Sequence, residues 1–354
     1  MNKIPVGVLG ATGTVGQRFV QLLAGHPWFE VVALTGSDRT VGRPYGEGVN
    51  WLMPGRVPAR AAALTVQPTA PNLDIPGNPP VVFSALPTTE AKEWEPQFAA
   101  AGYAVVTNTS VFRMAPNVPL LIPEVNPDHT CLIPTQRAEN NWPGFIVASP
   151  NCSTTSAILP LKIFQEAFGV EAAIITTMQA ISGAGYPGVS SMDIYDNVVP
   201  HIGGEDEKLQ NEPLKLLGDV RDGHMVMAGI AVSAQANRVP VVDGHLASVS
   251  VKLGRRASAE EALAALRAWQ PPAVCARLPS TPAELLIVRD EPDRPQPRRD
   301  RDAGDGLAWT VGKVRACPVL DVRYVALTHN TLRGAASGAL LNAELLAVQG
   351  YIGQ

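Results

Sequence analysis

The sequence predicts an α/β protein of two domains, in which a Rossmann-type doubly wound parallel sheet precedes a second domain of α+β type. A strand, a glycine turn and a helix follow one another over 4–23, and short apolar strands then alternate with helical stretches up to residue 148. This alternation is typical of a parallel sheet with crossover helices. From residue 171 the chain carries longer β-rich runs and polar loops, and its 354 residues fit two cores better than one.

Composition and charge indicate a well-packed protein that does not bind nucleic acid. Hydrophobic residues make up 46% of the chain and charged residues 17%, and 28 basic against 32 acidic residues leave a net charge of -4. The four cysteines show no paired spacing, so we expect free thiols in a reducing compartment and no metal site. The chain opens without a basic leader and contains no apolar run of membrane-spanning length, which predicts a cytoplasmic protein that does not bind membranes.

The first motif is a glycine turn of the form G-x-x-G-x-x-G at 10–16, directly after the strand 4–9 and directly before a helical stretch. Small residues are needed there because the turn is tight and the backbone must approach a pyrophosphate, which the helix N-terminus binds. The alternative is an ordinary turn between a strand and a helix.

The end of the second strand, after 30–35, carries the signals that select the cofactor. An acidic residue at this point accepts from the ribose 2′-hydroxyl of NAD, whereas an arginine accommodates the 2′-phosphate of NADP. Asp38 and Arg39 provide both signals, and Ser37 adds a hydroxyl donor. The pattern favours NADP.

Two polar loops follow buried strands. The loop 108–114 contains Arg113, whose guanidinium could bind a phosphate through two hydrogen bonds, although a lone loop arginine is more often a solvated surface residue. The stretch Ser-Pro-Asn-Cys-Ser-Thr-Thr at 149–155 joins the apolar run 145–148 to a helix. We therefore expect Cys152 at a helix N-terminus, where the dipole and the free amides lower the pKa of a thiol. The alternative is an inert buried cysteine.

The second half of the chain offers weaker signals. Glu205 and Glu207 lie in the first turn of a helix predicted to end near residue 218, where acidic side chains suit the helix dipole. Arg238 and His245 share a polar segment between two strands, in which a lone histidine is most often structural. Ser258 opens a capping box, and closing strands at 307–315 and 320–327 precede a C-terminal helix at 336–347.

These motifs, in this order, make the chain resemble the aspartate-semialdehyde dehydrogenase family, in particular its archaeal and fungal branch. The resemblance runs essentially end to end and is carried by the stretches GATGTVGQ (10–17), NTSVFRM (108–114), SPNCSTT (149–155), SGAGYPG (182–188), GGEDEK (203–208), NRVPVVDGH (237–245), RPQPRRDRDAG (294–304) and HNTLRGAA (329–336).

The resemblance implies a role for each matching residue. Cys152 would be the nucleophile, His245 the general acid/base and Gln179 the group that orients the acyl intermediate, with Asn151 beside the nucleophile. For the substrate, Arg238 would bind the α-carboxylate and Glu205 the amino group, while Arg113 and Lys208 would bind the phosphate. The residues expected to bind NADP are Gly10, Thr12, Gly13, Thr14, Val15, Gly16, Ser37, Arg39, Ser84, Gly183, Gly185 and Asn330.

The resemblance also implies a domain division and a reaction. Residues 1–151 and 328–354 would form the NADP-binding domain, closed by the C-terminal helix, and 152–327 a catalytic and dimerisation domain in a homodimer or homotetramer. The reaction would be the reductive dephosphorylation of L-4-aspartyl phosphate in lysine, threonine and methionine biosynthesis. Two alternatives stay open, namely a thioester reductase of the same superfamily acting on malonyl-CoA and a catalytically silent regulatory paralogue that binds NADP.

Overall fold

The strands of the computed structural model, which describes residues 3–353, form two six-stranded sheets and one hairpin. The first sheet contains β1 (Ile4–Leu9), β2 (Phe29–Thr35), β3 (Val66–Gln67), β4 (Val81–Ser84), β5 (Ala104–Thr107) and β6 (Phe145–Ala148). The hairpin consists of β8 (Asp219–Arg221) and β9 (His224–Val226). The second sheet contains β7 (Val170–Gln179), β10 (Ala231–Arg238), β11 (His245–Leu253), β12 (Leu286–Arg289), β13 (Trp309–Ala316) and β14 (Val322–Thr328).

Helices connect and cover these strands. They are α1 (Thr14–Leu23), α2 (Tyr45–Gly48), α3 (Ala59–Ala62), α4 (Thr88–Ala100), α5 (Leu132–Asn140), α6 (Cys152–Phe168), α7 (Ser191–Ile194), α8 (Glu205–Leu216), α9 (Ala259–Ala268), α10 (Pro297–Asp300), α11 (Ala303–Gly306) and α12 (Ser337–Val348). Within the described range, no helix has the length and apolar character needed to cross a membrane.

The first sheet is parallel throughout, in the order β3-β2-β1-β4-β5-β6. The strand order reverses between β1 and β4, and ligands of such sheets bind in the crevice at the carboxyl ends of the strands at this point. Gly10 directly follows β1 and Ser84 ends β4, so both border the crevice. The doubly wound parallel sheet expected from the sequence is confirmed.

The C-terminal helix α12 packs on the first sheet although it follows the last strand of the second. Leu340, Leu341 and Leu345 on α12 share one hydrophobic core with Val6 and Val8 of β1. Nearly every residue of α12 is buried, which is unusual for a surface helix and follows from its apolar sequence. This packing returns the end of the chain to the first sheet.

The second sheet is mixed, and its register brings three strand ends together. Because β10 runs parallel to β7, their last residues Arg238 and Gln179 are direct neighbours. Because β11 runs antiparallel to β7, its first residues lie at the same end, with Leu246 opposite Met178. His245, the first residue of β11, therefore lies at the edge of the sheet where β7 and β10 end.

One face of this second sheet is covered by α6, and the other face is open in a single chain. On the open face, Ile174 is 46% exposed and is flanked across the sheet by Ser233 and Ser250. Small and apolar side chains on an open sheet face are typical of a surface that another protein covers.

Several elements differ from expectation. β10 continues to Arg238, so this arginine lies on a strand and not in a loop. α12 begins at Ser337, after a π-helical turn at Leu332–Ala336. The predicted capping box of α9 is confirmed, since Ser258 and Glu261 bond reciprocally. The sequence did not predict α5, the β8–β9 hairpin or β12, because α5 is polar and the strands are too short to show a period.

Candidate active site

Cys152 is the first residue of α6 and lies half-buried at the helix N-terminus. The preceding Asn151 caps the helix, because its Oδ1 accepts from the backbone N–H of Ser153 at 2.8 Å. Gly334 approaches the cysteine so closely that a methyl group on it would stand 2.7 Å from Cβ of Cys152. The expected strand, turn and helix around the cysteine are therefore confirmed, and the backbone at residue 334 forms one wall of the site.

Glu205, the first residue of α8, joins most of the polar groups around the cysteine. Its carboxylate accepts from Lys208 Nζ at 2.8 Å, from Asn151 Nδ2 at 2.9 Å and from Gln179 Nε2 at 3.2 Å. Although burial acts to raise the pKa of Glu205, the hydrogen bonds from Lys208, Gln179 and Ser153 hold it below its usual value. Glu205 is 7% exposed whereas Glu207 is exposed. Interaction with the helix dipole is therefore a sufficient explanation for Glu207 but not for Glu205.

Arg238 and His245 meet at the edge of the second sheet beside a glycine loop. Arg238 Nη1 donates to the backbone oxygen of Ala180 at 2.7 Å. A methyl group on Gly183 would stand 2.8 Å from Arg238 Nη1 and 3.1 Å from His245 Nε2. Gly183 therefore allows the loop 181–184 to approach both side chains. Gly185, by contrast, is exposed, has a φ of +72°, and a methyl group on it would meet no atom within 4 Å.

His245 is fully buried and its two ring nitrogens are in different situations. Nδ1 accepts from the backbone N–H of Ala180 at 3.0 Å, so the proton of the neutral ring belongs on Nε2. Nε2 has no partner among the described residues. Burial, followed by the charge of Arg238, lowers the pKa of His245 to about 3. The ring is therefore neutral at physiological pH and presents a free N–H donor.

The thiol of Cys152 differs from the expectation that the helix N-terminus lowers its pKa. Burial raises the pKa to about 12 and the Glu205 carboxylate adds to this, while Arg113, Arg238 and Lys208 act in the opposite direction. The prediction of a lowered pKa is wrong for the unliganded site, because loss of hydration and one nearby carboxylate outweigh the cations. Cys152 is held as a neutral thiol there.

Arg113 is buried and has defined partners, so the interpretation of a solvated surface arginine is wrong. Its Nη1 donates to Glu212 Oε1 at 3.0 Å and its Nη2 to the backbone oxygen of Asn108 at 2.7 Å. The other carboxylate oxygen of Glu212 accepts from the backbone N–H of Asn151 at 2.6 Å. Glu212 thus connects Arg113 to the turn that carries Cys152.

The glycine turn has the shape that its spacing predicts. Gly10 has a φ of +71°, and a methyl group on it would lie 2.8 Å from the backbone oxygen of Ala85. A methyl group on Gly16 would lie 2.2 Å from the backbone oxygen of Gly10. Gly13 is exposed and is the N-cap of α1, so the first amides of that helix, at Thr14, Val15 and Gly16, have no side-chain cap. Thr12 lies in the same turn, and its backbone oxygen accepts from Gln17.

The remaining cofactor candidates are spread along the carboxyl edge of the first sheet. Ser37 and Arg39 are exposed after β2, four strand positions from β6 and the cysteine, which corresponds to roughly 19 Å. Ser84 is buried at the end of β4. Asn330 joins two loops, since its Oδ1 accepts from Gly244 N and its Nδ2 donates to Ser182 Oγ, both at 2.8 Å.

Three buried charged side chains near the site were not predicted from the sequence. Glu212 and Lys215 continue the face of α8 that carries Glu205 and Lys208, and the spacing of three and four residues along the helix was the signal that could have revealed them. Glu95 of α4 accepts from Thr107 Oγ1 at 2.5 Å at the end of β5. Burial raises the pKa of Glu95 to about 7, against hydrogen bonds from Thr107, Ser84 and Thr109.

No cluster of three or more histidine, cysteine or carboxylate side chains within 3–353 has the arrangement of a metal site.

Two family models match the chain. The model of the semialdehyde dehydrogenase NAD binding domain matches residues 5–133, and that of the semialdehyde dehydrogenase dimerisation domain matches residues 161–333.

Individual proteins match over nearly their whole length. The aspartate-semialdehyde dehydrogenase of Archaeoglobus fulgidus is 49% identical and covers 97% of this chain, which spans 98% of that protein. The Cryptococcus neoformans protein of the same name is 44% identical over 99% of this chain and 98% of its own length. The crystal structure of the Candida albicans aspartate semialdehyde dehydrogenase with NADP superimposes with a TM-score of 0.89 at 40% identity and covers 99% of both chains.

Proposed function

Since this chain belongs to the aspartate-semialdehyde dehydrogenase family, we propose that it reduces L-4-aspartyl phosphate to L-aspartate 4-semialdehyde and phosphate, with NADPH as the hydride donor. The observation that carries this proposal is the cysteine at the start of α6, around which Arg113, Arg238, Lys208 and Glu205 act through their charges. A substrate with a phosphate, a carboxylate and an ammonium group needs one opposite charge for each when it leaves water. The cluster supplies those charges around one sulfur.

Each substrate group has a partner in this proposal. The Arg238 guanidinium binds the α-carboxylate, the Glu205 carboxylate binds the ammonium group, and Arg113 with Lys208 binds the phosphate. In the unliganded site Lys208 and Glu205 form an ion pair at 2.8 Å. An arriving ammonium group replaces Lys208 as the partner of Glu205, and Lys208 is then free to turn to the phosphate.

The covalent step belongs to Cys152. Its sulfur attacks the acyl carbon, the bond from that carbon to the phosphate oxygen breaks, and the thiol proton leaves with the phosphate as hydrogen phosphate. The product is a thioester on Cys152. Gln179 lies at the end of β7 with its amide beside Glu205, which supports a role in orienting the acyl group, and Asn151 holds the turn in front of the sulfur.

The glycine turn fits the pyrophosphate of a dinucleotide. Gly10 and Gly16 make backbone approaches that no side chain would permit, while a methyl group on Gly13 would meet only the backbone oxygen of Gly10, at 3.6 Å. The open space above Gly13 and the uncapped amides of α1 are the features that an anion at a helix N-terminus requires. When bound, NADPH supplies the hydride that the thioester carbon accepts. Ser37 and Arg39 hold the 2′-phosphate, while Thr12, Thr14, Val15, Ser84, Gly183, Gly185 and Asn330 complete the site.

His245 lies where it can stabilise the acyl oxygen during the reduction. The thioester gains a hydride at carbon, and one proton ends on the Cys152 sulfur when the carbon–sulfur bond breaks and the aldehyde leaves. The Nε2–H of the neutral ring is a ready donor to the acyl oxygen, because Nδ1 is engaged by the Ala180 N–H and Nε2 is buried without a partner in the described chain. We therefore assign to the His245 Nε2–H the hydrogen bond that stabilises the acyl oxygen while the hydride adds. The proton that ends on the Cys152 sulfur comes from solvent, because a neutral imidazole does not release its own.

The chain divides functionally at the cysteine. We assign residues 1–151 and 328–354 to NADP binding, because α12 shares its core with β1, and residues 152–327 to catalysis and assembly. The dimerisation domain model and the open face around Ile174 support a homodimer, or a tetramer built from two such pairs. Location in the cytoplasm follows from the proposed place of the reaction in lysine, threonine and methionine biosynthesis.

The substrate assignment is tested with the purified protein run in the oxidative direction. We expect continuous formation of NADPH from L-aspartate semialdehyde and NADP only when phosphate is present, and malonyl-CoA to be reduced little or not at all. Glu205→Ala should weaken the aspartate semialdehyde reaction, whereas Glu207→Ala, an exposed glutamate on the same helix, should leave it unchanged. Efficient reduction of malonyl-CoA together with no reaction of aspartate semialdehyde would make the substrate assignment wrong.

A further inference from the structure

Lys215 is a fully buried lysine whose ammonium group binds a single short loop. Its Nζ donates to the backbone oxygens of Arg113 at 2.7 Å, of Ala115 at 2.6 Å and of Val118 at 2.7 Å. An ammonium group has three N–H donors, so these three carbonyls use all of them and require the charged form. The loop 113–118 is wrapped around one buried cation.

The same face of α8 also holds the side chain of Arg113. Glu212, one turn before Lys215, accepts from Arg113 Nη1 and from the backbone N–H of Asn151. Lys215 therefore fixes the backbone of Arg113, and Glu212 fixes its guanidinium and the residue before Cys152. Glu205 and Lys208 lie further along the same face and belong to the site itself.

Lys215 has a second effect on phosphate binding, through the charge that it adds beside Arg113 and Glu212. Glu212 by itself would cancel the charge of Arg113, and a neutral ion pair attracts phosphate weakly. Burial lowers the pKa of Lys215 to about 7, while the attraction of the Glu212 carboxylate acts to raise it. The three carbonyls that accept from Nζ also favour the charged form, so Lys215 can supply a positive charge that acts on Glu212. Arg113, Glu212 and a charged Lys215 together have a net positive charge. They keep it although the Glu212 carboxylate is hydrogen-bonded to Arg113, the arginine that faces the site.

We infer that Lys215 is a positioning residue for the phosphate site, which holds the Arg113 loop in its binding conformation and keeps the Arg113–Glu212 pair cationic. This inference rests on the proposed function, in which Arg113 binds the phosphate. Lys215 itself does not touch the substrate, because its three donors are satisfied by the backbone. Its effect is therefore specific to phosphate and leaves the carboxylate and cofactor sites alone.

The test is the steady-state kinetics of Lys215→Met in the oxidative direction. Loss of the cation should raise the KM for phosphate about 10- to 100-fold, the equivalent of one charge-assisted hydrogen bond. The KM values for NADP and aspartate semialdehyde, and kcat at saturating phosphate, should stay within about twofold of wild type, as expected for ground-state binding alone. Lys162→Met, which removes a lysine paired with Glu166 on α6, is the matched control and should leave every constant unchanged.

A second variant covers the case in which Lys215→Met does not fold. Pro116 is an exposed residue of the same loop, and Pro116→Gly makes that loop more flexible without touching Lys215 or the Arg113 side chain. It should raise the KM for phosphate by about two- to fivefold, in line with the usual effect of removing a proline. An unchanged KM for phosphate in either folded variant, or an equal loss of all kinetic constants in Lys215→Met, overturns the inference. Wild-type protein that lacks any phosphate-dependent reaction would instead overturn the proposed function.

Discussion

Gly334 packs directly against Cys152, and an added methyl group would lie 2.7 Å from Cβ and 2.9 Å from Cα of the cysteine. The glycine has no positive φ that would require it, so its absence of a side chain serves the contact alone. The residue before it, Arg333, pairs with Glu124 and stacks on Trp309, which keeps this part of the chain from moving away. The position of Cys152 thus depends on Gly334, which is distant in the sequence and lies after the last strand of the second sheet.

Gly334→Ala should therefore displace Cys152 and slow the chemical step. A misplacement of about 1 Å can cost on the order of 10²-fold in rate, so we expect a loss of that order in kcat while NADP binding is kept. Gly229→Ala is the matched control, since a methyl group on that exposed glycine would meet no atom within 4 Å. Equal activity of the two alanine variants would show that the contact does not position the sulfur.

Local sequence was sufficient to predict the elements that position the site. The glycine turn at 10–16, the cysteine at a helix start and the β-rich run from residue 171 that contains Gln179 follow from short-range patterns. The pKa of Cys152 could not be predicted, because it depends on burial and on Glu205. The role of Lys215 could not be predicted either, because its carbonyl partners lie about one hundred residues earlier in the chain.

Glu205→Gln should lower the pKa of Cys152. The Glu205 carboxylate acts with burial to raise the pKa of the thiol, and glutamine keeps the size of the side chain while removing the charge. The rate of alkylation by iodoacetamide, measured against pH, reports the thiolate fraction and should rise at lower pH in this variant than in wild type. Lys208→Met should shift the curve the other way, and Glu207→Gln should not shift it. A curve for Glu205→Gln that coincides with wild type would mean that the carboxylate does not act on the sulfur.

Glu95 makes the stability depend on pH. Its pKa in the folded protein is raised from 4.5 to about 7, which corresponds to roughly 3 kcal/mol. The folded state therefore holds the proton more tightly than the unfolded state, so this contribution is complete below pH 4.5 and is lost as the pH rises to about 7. Glu95→Gln removes the titrating group, and the free energy of unfolding from urea titrations should fall less between pH 5 and pH 8 than in wild type.

The control for this prediction is Glu93→Gln, an exposed glutamate on the same helix, which should follow the wild-type pH dependence. If Glu95→Gln also follows the wild-type curve, the carboxyl group does not take up a proton in this range.

Arg39→Ala should weaken NADPH binding far more than NADH binding. The exposed arginine after β2 is assigned to the 2′-phosphate, and a charge-assisted hydrogen bond of this kind contributes about 1.5–3 kcal/mol. Dissociation constants for the two cofactors, measured by fluorescence titration, give the difference. Arg43→Ala is the control, because Arg43 donates to the backbone oxygen of Glu47. Equal losses for both cofactors would move the 2′-phosphate site elsewhere.

The central claim is that Cys152 forms a thioester that only phosphate releases efficiently. It is tested most directly by mixing the enzyme with L-aspartate semialdehyde and NADP in the absence of phosphate and following NADPH. We predict a burst of one NADPH per active site, because the thiol is acylated once and the thioester is not released without phosphate. Steady turnover should begin once phosphate is added. Cys152→Ala should bind NADP and give neither the burst nor the turnover. A full burst from Cys152→Ala, or phosphate-dependent turnover at the wild-type rate, would contradict the covalent role of this cysteine.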